Sequence, residues 1–285
     1  ILGHKRLSII DVAGSSQPLA NEDKSVWITF NGEIYNYQEL RKELIGKGHV
    51  FKTGGDTETL VHLYEEYGTE MTCRLQGMFA FAIWDKRKSQ LFIARDRIGI
   101  KPLYYTMKYG EFIFASEIKA LLEHPMVDAE PRKESVWHYL TYRSVPSPDT
   151  LFQDIYKLKP GHSIILNSNS LKKRLYWDIP LKSDNAHIEN PEANIAETVE
   201  SILLKSVKRR LISDVPLGAF LSGGVDSSLI VAMMSRLTNS RVKTYSVGFN
   251  NFKSSELHYA RDVAEYFGSD HHELVLEEEC FADHL

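Results

Sequence analysis

Leu217-Gly218-Ala219-Phe220-Leu221-Ser222-Gly223-Gly224-Val225-Asp226-Ser227-Ser228 reads as three pieces in a row. Val215 to Leu221 is a short apolar run of strand length. Ser222 to Asp226 is a glycine-rich turn, and beyond it Leu229, Ile230, Met233, Met234 and Leu237 recur at helical spacing. A strand, a Gly-Gly turn and a helix start form an anion site: glycine lets the backbone approach a ligand, and free N–H groups at a helix N-terminus point at negative charge. Ser222, Ser227 and Ser228 add hydroxyl donors. Asp226 adds a carboxylate, which a phosphate site tolerates when a cation stands between the two. The stretch therefore implies a nucleotide with Mg²⁺. No Lys follows the glycines, so this is not a Walker loop.

Working outward, the second half of the chain alternates helix and strand. Ile195, Val199, Ile202, Leu203, Val207 and Leu211 mark a long amphipathic helix. Val242 to Phe249 reads as a strand, Ser255 to Phe267 as a helix and His271 to Leu276 as a strand. That order predicts a parallel, doubly wound sheet, whose ligands lie at the carboxyl ends of its strands. His271 and His272 are adjacent in a strand, so their side chains face opposite ways and do not share a metal. Glu256 reads as a helix-start residue. Residues 180–194 are polar, contain two prolines, and read as a linker.

The first half has another period. Strands are expected within 1–12 and over Val26 to Phe30, Met78 to Asp85, Gln90 to Ala94, Pro102 to Met107, Glu111 to Ala115 and His162 to Leu166. Asn36 is placed to cap a helix through Leu40 and Leu44, with Glu39 as its capping-box partner. Thr57 to Tyr67 follows as a second helix, with shorter ones over Ser116 to Glu123 and Ser135 to Leu140. Stacked antiparallel sheets covered by helices are the expected arrangement.

Four groups stand out there. Arg6 is suited to a carboxylate, Asp56 to an ammonium, and the Asn31 amide beside the Gly32 N–H is the equipment of an oxyanion hole. Each also has an ordinary reading: Asn-Gly as a turn, Arg6 as a surface ion pair, Asp56 as a helix cap.

The chain has 285 residues, 43% apolar and 25% charged, which suits two globular domains. A net charge of −4 with no basic stripe speaks against nucleic acid, and the longest apolar run, Met78 to Trp84, is too short for a bilayer. Two cysteines without paired spacing, Cys73 and Cys280, fit a reducing, cytoplasmic setting. Cys73 reads as a packed small residue.

The Ser-Gly-Gly-x-Asp-Ser loop resembles the signature of ATP-pyrophosphatases. GHKRLSIID, FNGEIYNYQEL, TGGDTE, RLQGMFAFAIWD, ARDRIGIKPLYY and ASEIKALL resemble the class II glutamine amidotransferase domain of glutamine-dependent asparagine synthetases, and LGAFLSGGVDSSLIVA with YSVGF resembles their synthetase domain. The resemblance implies an α+β N-terminal-nucleophile hydrolase-like αββα sandwich over 1–180. It further implies an α/β parallel-sheet ATP-pyrophosphatase domain, adenine nucleotide alpha hydrolase-like, over 195–285. By the same resemblance Arg6 would hold the glutamine α-carboxylate, Asp56 its ammonium, and Asn31 and Gly32 the oxyanion, with Glu33 touching the substrate. Leu221, Ser222, Gly223, Gly224, Asp226, Ser227, Ser228 and Val247 would hold ATP, with Mg²⁺ on Asp226.

The implied reaction is glutamine-driven amidation of aspartate through its adenylate, giving asparagine, AMP and pyrophosphate. The expected partners are small molecules, with a homodimer as the assembly and neither nucleic acid nor a membrane involved. The segment Tyr142 to Gly161 resembles a bacterial subset that includes amidotransferases of surface saccharides, so a uronic acid is an alternative acceptor. A ligand sensor without chemistry and a β-lactam-forming relative are further alternatives. The intact loop 222–228 speaks against the first, and the complete clamp of Arg6, Asn31, Gly32 and Asp56 against the second. The family's nucleophile is an N-terminal Cys, whereas position 1 is Ile. Both ends are expected to be internal to a longer enzyme, the first domain lacking its N-terminal strand and Cys and the second its C-terminal part. This stretch alone is expected to be inactive.

Overall fold

The structure, a computed structural model, describes residues 1–5, 10–11, 14–180, 191–249 and 256–276. It divides into two units, Ile1–Ser183 and Asp184–Leu285. Arg6, Cys280 and most of the expected linker (181–190) lie outside the described residues.

The first unit contains β1 (Leu19–Ala20), β2 (Val26–Ile34), α1 (Tyr37–Gly46), α2 (Asp56–Tyr67), β3 (Gly77–Asp85), β4 (Gln90–Arg95), β5 (Tyr104–Lys108), β6 (Glu111–Ala115), α3 (Ile118–Leu122), α4 (Lys133–Tyr142), β7 (Tyr156–Lys157), β8 (His162–Asn167) and β9 (Ser170–Leu175). One antiparallel sheet has the order β1-β2-β3-β4-β8-β9, and a second has β6-β5-β7.

The unbroken apolar run of β3 explains the layering, because a strand buried on both faces needs no polar alternation. Ala80 and Ala82 face the second sheet and pack with Ile93, Ile164, Leu103 and Tyr105. Phe79 and Phe81 face the other way, toward the aromatic stack of Phe92 and the α2 residue Tyr64. Small side chains let the sheets approach, while large ones fill the space under the helix; each buried Phe contributes roughly 1.5–3 kcal/mol. On the far face of the second sheet, Leu121 of α3 packs with Val127, Ile155, Tyr104 and Ile113. The unit is thus a helix–sheet–sheet–helix stack, as expected.

Several expectations change. The described residues of 1–12 form no strand, because the sheet edge beside β2 is taken by Leu19–Ala20. Asn36 makes no capping bond. Its carboxamide donates to the Arg74 carbonyl and accepts from the Gln76 N–H, each at 3.0 Å, fastening the 3₁₀ segment Gly68–Arg74 to the start of α1. In that segment Met71 and Thr72 take the inward positions and Cys73 is exposed rather than packed. The strand expected to end at Phe30 continues to Ile34, so Asn31-Gly32 is not a turn.

Arg95 and Asp96 hold the next loop. Arg95 donates to the carbonyls of Lys101, Leu158 and Gly99 at 2.7, 2.6 and 2.8 Å, and burial pushes its guanidinium below its ordinary pKa. The fully buried Asp96 carboxylate accepts the N–H groups of Phe79, Ile100 and Lys101 at 3.2, 2.9 and 2.9 Å.

The second unit contains α5 (Pro191–Arg210), β10 (Gly218–Phe220), α6 (Val225–Leu237), β11 (Lys243–Phe249), α7 (Leu257–Tyr266) and β12 (Asp270–Leu276). The three strands are parallel in the order β10-β11-β12. The expected double winding is not seen among the described residues. Val231 of α6 and Ala260 and Ala264 of α7 pack in one cluster with Leu221, while Phe220, Tyr245, Val247 and Leu274 are exposed. Right-handed crossovers through strands taken in sequence put both connecting helices on one face; covering the other face needs a reversal of strand order. Among the described residues, no helix is long and apolar enough to cross a membrane.

Asp96→Ala would leave three backbone donors without an acceptor. Urea unfolding of this variant should show a loss of about 3 kcal/mol or more at an unchanged cooperative slope; an unchanged midpoint would show that water replaces the carboxylate at no cost.

Candidate functional site

The outer edge of β2 organises a cavity in the first unit. In an antiparallel strand, alternate residues turn their N–H and C=O toward the same neighbour. Phe79 of β3 is engaged by Asp96 on the β4 side, so its partner Gly32 turns its own polar groups away from β3. Phe30 and Ile34 share that parity. The Gln17 carboxamide accepts from the Phe30 N–H at 2.6 Å and donates to its carbonyl at 3.0 Å, imitating a strand residue. The Asp56 carboxylate accepts from the Ile34 N–H at 3.0 Å. The Gly32 N–H lies on the same edge between these two points.

Gly32 has φ 151°, and a Cβ there would stand 2.0 Å from the Met78 carbonyl oxygen. Only glycine permits β2 and β3 to approach so closely. Asn31 and Glu33 point to the inter-sheet side, and the Asn31 Nδ2 lies 3.5 Å from the Ser116 hydroxyl. Asn31, Gly32, Glu33, Asp56, Gln17 and Ser116 all line one cavity of about 700 Å³.

Asp56 is buried at the first residue of α2, where the helix dipole favours a negative charge. Its approach is set by Asp11, which sequence reasoning left unassigned. The Asp11 carboxylate accepts from the Gly14 and Gly54 N–H groups at 3.0 and 2.9 Å and from the Ser15 hydroxyl at 2.7 Å. A Cβ on Gly55 would stand 2.4 Å from that hydroxyl, so the Gly54-Gly55 turn lies flush against Asp11 and Ser15. Asn31, Gly32, Glu33 and Asp56 are therefore brought to one cavity, Gln17 and Ser116 join them, and Asp11 holds the Gly54-Gly55 turn from outside the lining. Gln17 and Ser116 carry no local signal; only the fold shows their parts. Arg6 lies outside the described residues.

In the second unit, loop 221–224 leaves the carboxyl end of β10. The Leu221 N–H donates to the Tyr245 carbonyl at 2.9 Å, and the Ser246 hydroxyl donates to the Leu221 carbonyl, fixing the loop to β11. The Ser222 and Ser227 hydroxyls meet at 3.0 Å, and Ser227 donates to the Gly224 carbonyl at 3.1 Å. Gly223 has φ 80°, and a Cβ there would lie 2.4 Å from Cβ of Tyr259, so the turn packs directly on α7. Asp226 is exposed in the first turn of α6, and the Ser228 Oγ is buried without a hydrogen-bond partner. Val247 stands on the open face of β11, past the Tyr245 that holds the loop.

Residues 1–177 match the family described as "Glutamine amidotransferase domain". The chain belongs to this glutamine amidotransferase family. Residues 198–285 match the family described as "Asparagine synthase". Among curated relatives, asparagine synthetase [glutamine-hydrolyzing] 1 of Bacillus subtilis is 40% identical over 284 residues, 99% of this chain and 44% of that protein. Asparagine synthetase [glutamine-hydrolyzing] 3 of the same organism is 35% identical over 302 residues, 100% of this chain and 48% of that protein. The chain thus spans about half the length of these relatives. A solved glutamine phosphoribosylpyrophosphate amidotransferase from B. subtilis superposes with a TM-score of 0.41 at 17% identity, over 90% of this chain and 48% of that chain, too loosely to carry residue correspondences. The amidotransferase match covers the cavity residues, and the synthase match covers the serine–glycine loop.

Gly32→Ala should cost about 2 kcal/mol or more, from strained φ and the clash with Met78. Gly46→Ala, in a helix with open space around the new methyl, should be neutral or stabilising. Thermal unfolding of both variants separates the two; equal midpoints would mean that β2 and β3 part readily.

Proposed function

We propose that the chain carries the two substrate sites of a glutamine-hydrolysing asparagine synthetase, with the glutaminase domain over 1–180 and the ATP-binding domain over 195–285. The convergence of the Asn31 amide, the Gly32 N–H edge and the buried Asp56 carboxylate on one cavity carries this reading. An α-amino acid presents an ammonium, a carboxylate and, in glutamine, a side-chain amide. Asp56 meets the ammonium, Arg6 the carboxylate, and Asn31 with the Gly32 N–H the oxygen that gains charge when the amide is attacked. Glu33 lines the same wall.

In the second unit, Leu221, Ser222, Gly223, Gly224, Ser227 and Ser228 cradle the phosphates of ATP, with Val247 against the adenine. Tight packing behind Gly223 and the unpartnered Ser228 hydroxyl support this reading. One exposed carboxylate beside phosphate oxygens is the donor set Mg²⁺ accepts, so Asp226 would hold it; bound there, the ion neutralises pyrophosphate charge. ATP activates the aspartate side chain as its adenylate with loss of pyrophosphate. Ammonia from glutamine then displaces AMP and gives asparagine. The names of the matched relatives favour aspartate over a uronic acid as acceptor. The setting that goes with this reading is a cytoplasmic homodimer acting on small molecules.

Calorimetry on the chain tests the pairing of sites with ligands. Asp56→Ala should weaken glutamine about 10–100-fold, the worth of a charge-assisted hydrogen bond, and leave Mg²⁺–ATP unchanged. Asp226→Asn should do the reverse. A variant that weakens both ligands, or neither, contradicts the assignment.

A further inference from the structure

Among residues that belong to neither site, three metal-ligand atoms converge beside α2. His49 lies in the connection after α1, where Gly48 (φ 99°) turns the chain and the His49 N–H bonds back to the Leu44 carbonyl at 3.1 Å. His62 and Glu65 lie one turn apart on α2. The two Nδ1 atoms of His49 and His62 are 3.1 Å apart, His62 Nδ1 and Glu65 Oε2 are 2.9 Å apart, and His49 Nδ1 and Glu65 Oε2 are 3.8 Å apart.

A single proton on His62 serves this triangle poorly. His62 Nδ1 faces two acceptors, and one hydrogen placed there must be shared between them. The other ring nitrogen then carries a lone pair, yet Nε2 is buried with no hydrogen-bond partner, and its nearest charged neighbours are Glu58 and Glu22 oxygens at 3.8 and 3.9 Å. A lone pair turned toward two carboxylates in a side chain only 1% exposed is unfavourable. Moving that one proton to Nε2 cures the contact but leaves Nδ1 and the Glu65 oxygen with no hydrogen between them; an imidazolium would satisfy both ends without a metal, so it is the three-way convergence of ligand atoms that singles out an ion.

A metal ion resolves both ends with both rings neutral. Ligands about 2.1 Å from a tetrahedral ion lie roughly 3.4 Å apart, and the three observed separations bracket that value. With Nδ1 of each ring given to the ion, the His62 Nε2–H points to Glu58 and Glu22. The His49 Nε2–H donates to Glu66 Oε1 at 3.1 Å, and Asn21 Nδ2 holds the other Glu65 oxygen at 2.7 Å. Carboxylates behind ligating histidines and a hydrogen bond behind a ligating carboxylate are the outer shell that metal sites use. His49 and Glu65 are 16% and 20% exposed, which leaves a fourth position for water.

We propose that His49, His62 and Glu65 form a divalent-cation site of the zinc class, fastening the α1–α2 connection to the helix that begins at Asp56. Two imidazoles and one carboxylate select Zn²⁺ and its first-row neighbours over Mg²⁺. The site stands apart from the glutamine and ATP readings and does not depend on them.

The probe is the bare metal on the chelator-stripped chain: Zn²⁺ by calorimetry, and Co²⁺ by its visible absorption. One ion per chain should bind, Mg²⁺ should not compete, and Zn²⁺ should raise the unfolding temperature. His49→Gln and Glu65→Gln are chosen because neither side chain is buried; circular dichroism confirms that each folds. Both should abolish the Co²⁺ spectrum and the thermal gain. Glu66→Gln should weaken binding about 10–100-fold while keeping the spectrum. Absence of micromolar Zn²⁺ binding, or binding that both glutamine variants retain, overturns the proposal.

Discussion

The approach of β2 to β3 at Gly32 is the constraint on which the first unit's site depends. A methyl group there would collide with the Met78 carbonyl. Because the strands can close, the polar groups of Phe30, Gly32 and Ile34 are all turned to one outer edge. Gln17 satisfies the first of these and Asp56 satisfies the last. A strand edge, a loop carboxamide and a helix start are thereby aligned without any of them being close in sequence. Asp96 and Arg95 hold the neighbouring loop with side-chain hydrogen bonds to its backbone, so much of the polar content of these motifs is structural.

The second unit repeats the device with other chemistry. Gly223 again sits where a side chain cannot, this time against α7, and again a helix follows with an acidic residue in its first turn. The two carboxylates differ in setting. Asp56 is buried and tied to a backbone N–H, as suits a fixed partner for an ammonium group. Asp226 is exposed in the first turn of a helix, next to the Ser227 hydroxyl, as suits a partner brought in with phosphates.

How far the fold was legible depended on local signals. Strands β3, β4 and β6 and helices α2 and α6 were readable because their apolar periods are strong. β9, with the sequence SLKKRL, was not read as a strand; it is an exposed edge strand whose lysines and arginine look like loop. Asn31-Gly32 carries a turn signal that sheet pairing overrides. Asn36 carries a capping signal, yet its side chain is spent on Arg74 and Gln76. The cavity residues Asn31, Gly32, Glu33 and Asp56 were legible as types and through the family resemblance. Gln17, Asp11 and Ser116 were not, since their value lies in contacts across the fold. The His49–His62–Glu65 group has a first spacing that spans a loop, so only the return of α2 beside it brings the ligands together.

Hydrogen exchange at backbone amides tests the central claim most directly: two separate ligand sites, one built on the glycine-dependent approach of two strands and the other on a glycine-dependent turn. Glutamine should slow exchange at Gly32 and at residues 54–57 and leave 221–228 unchanged. Mg²⁺–ATP should slow 221–228 and leave the β2 edge unchanged. Protection of the same amides by both ligands, or glutamine protection that misses Gly32, would contradict it.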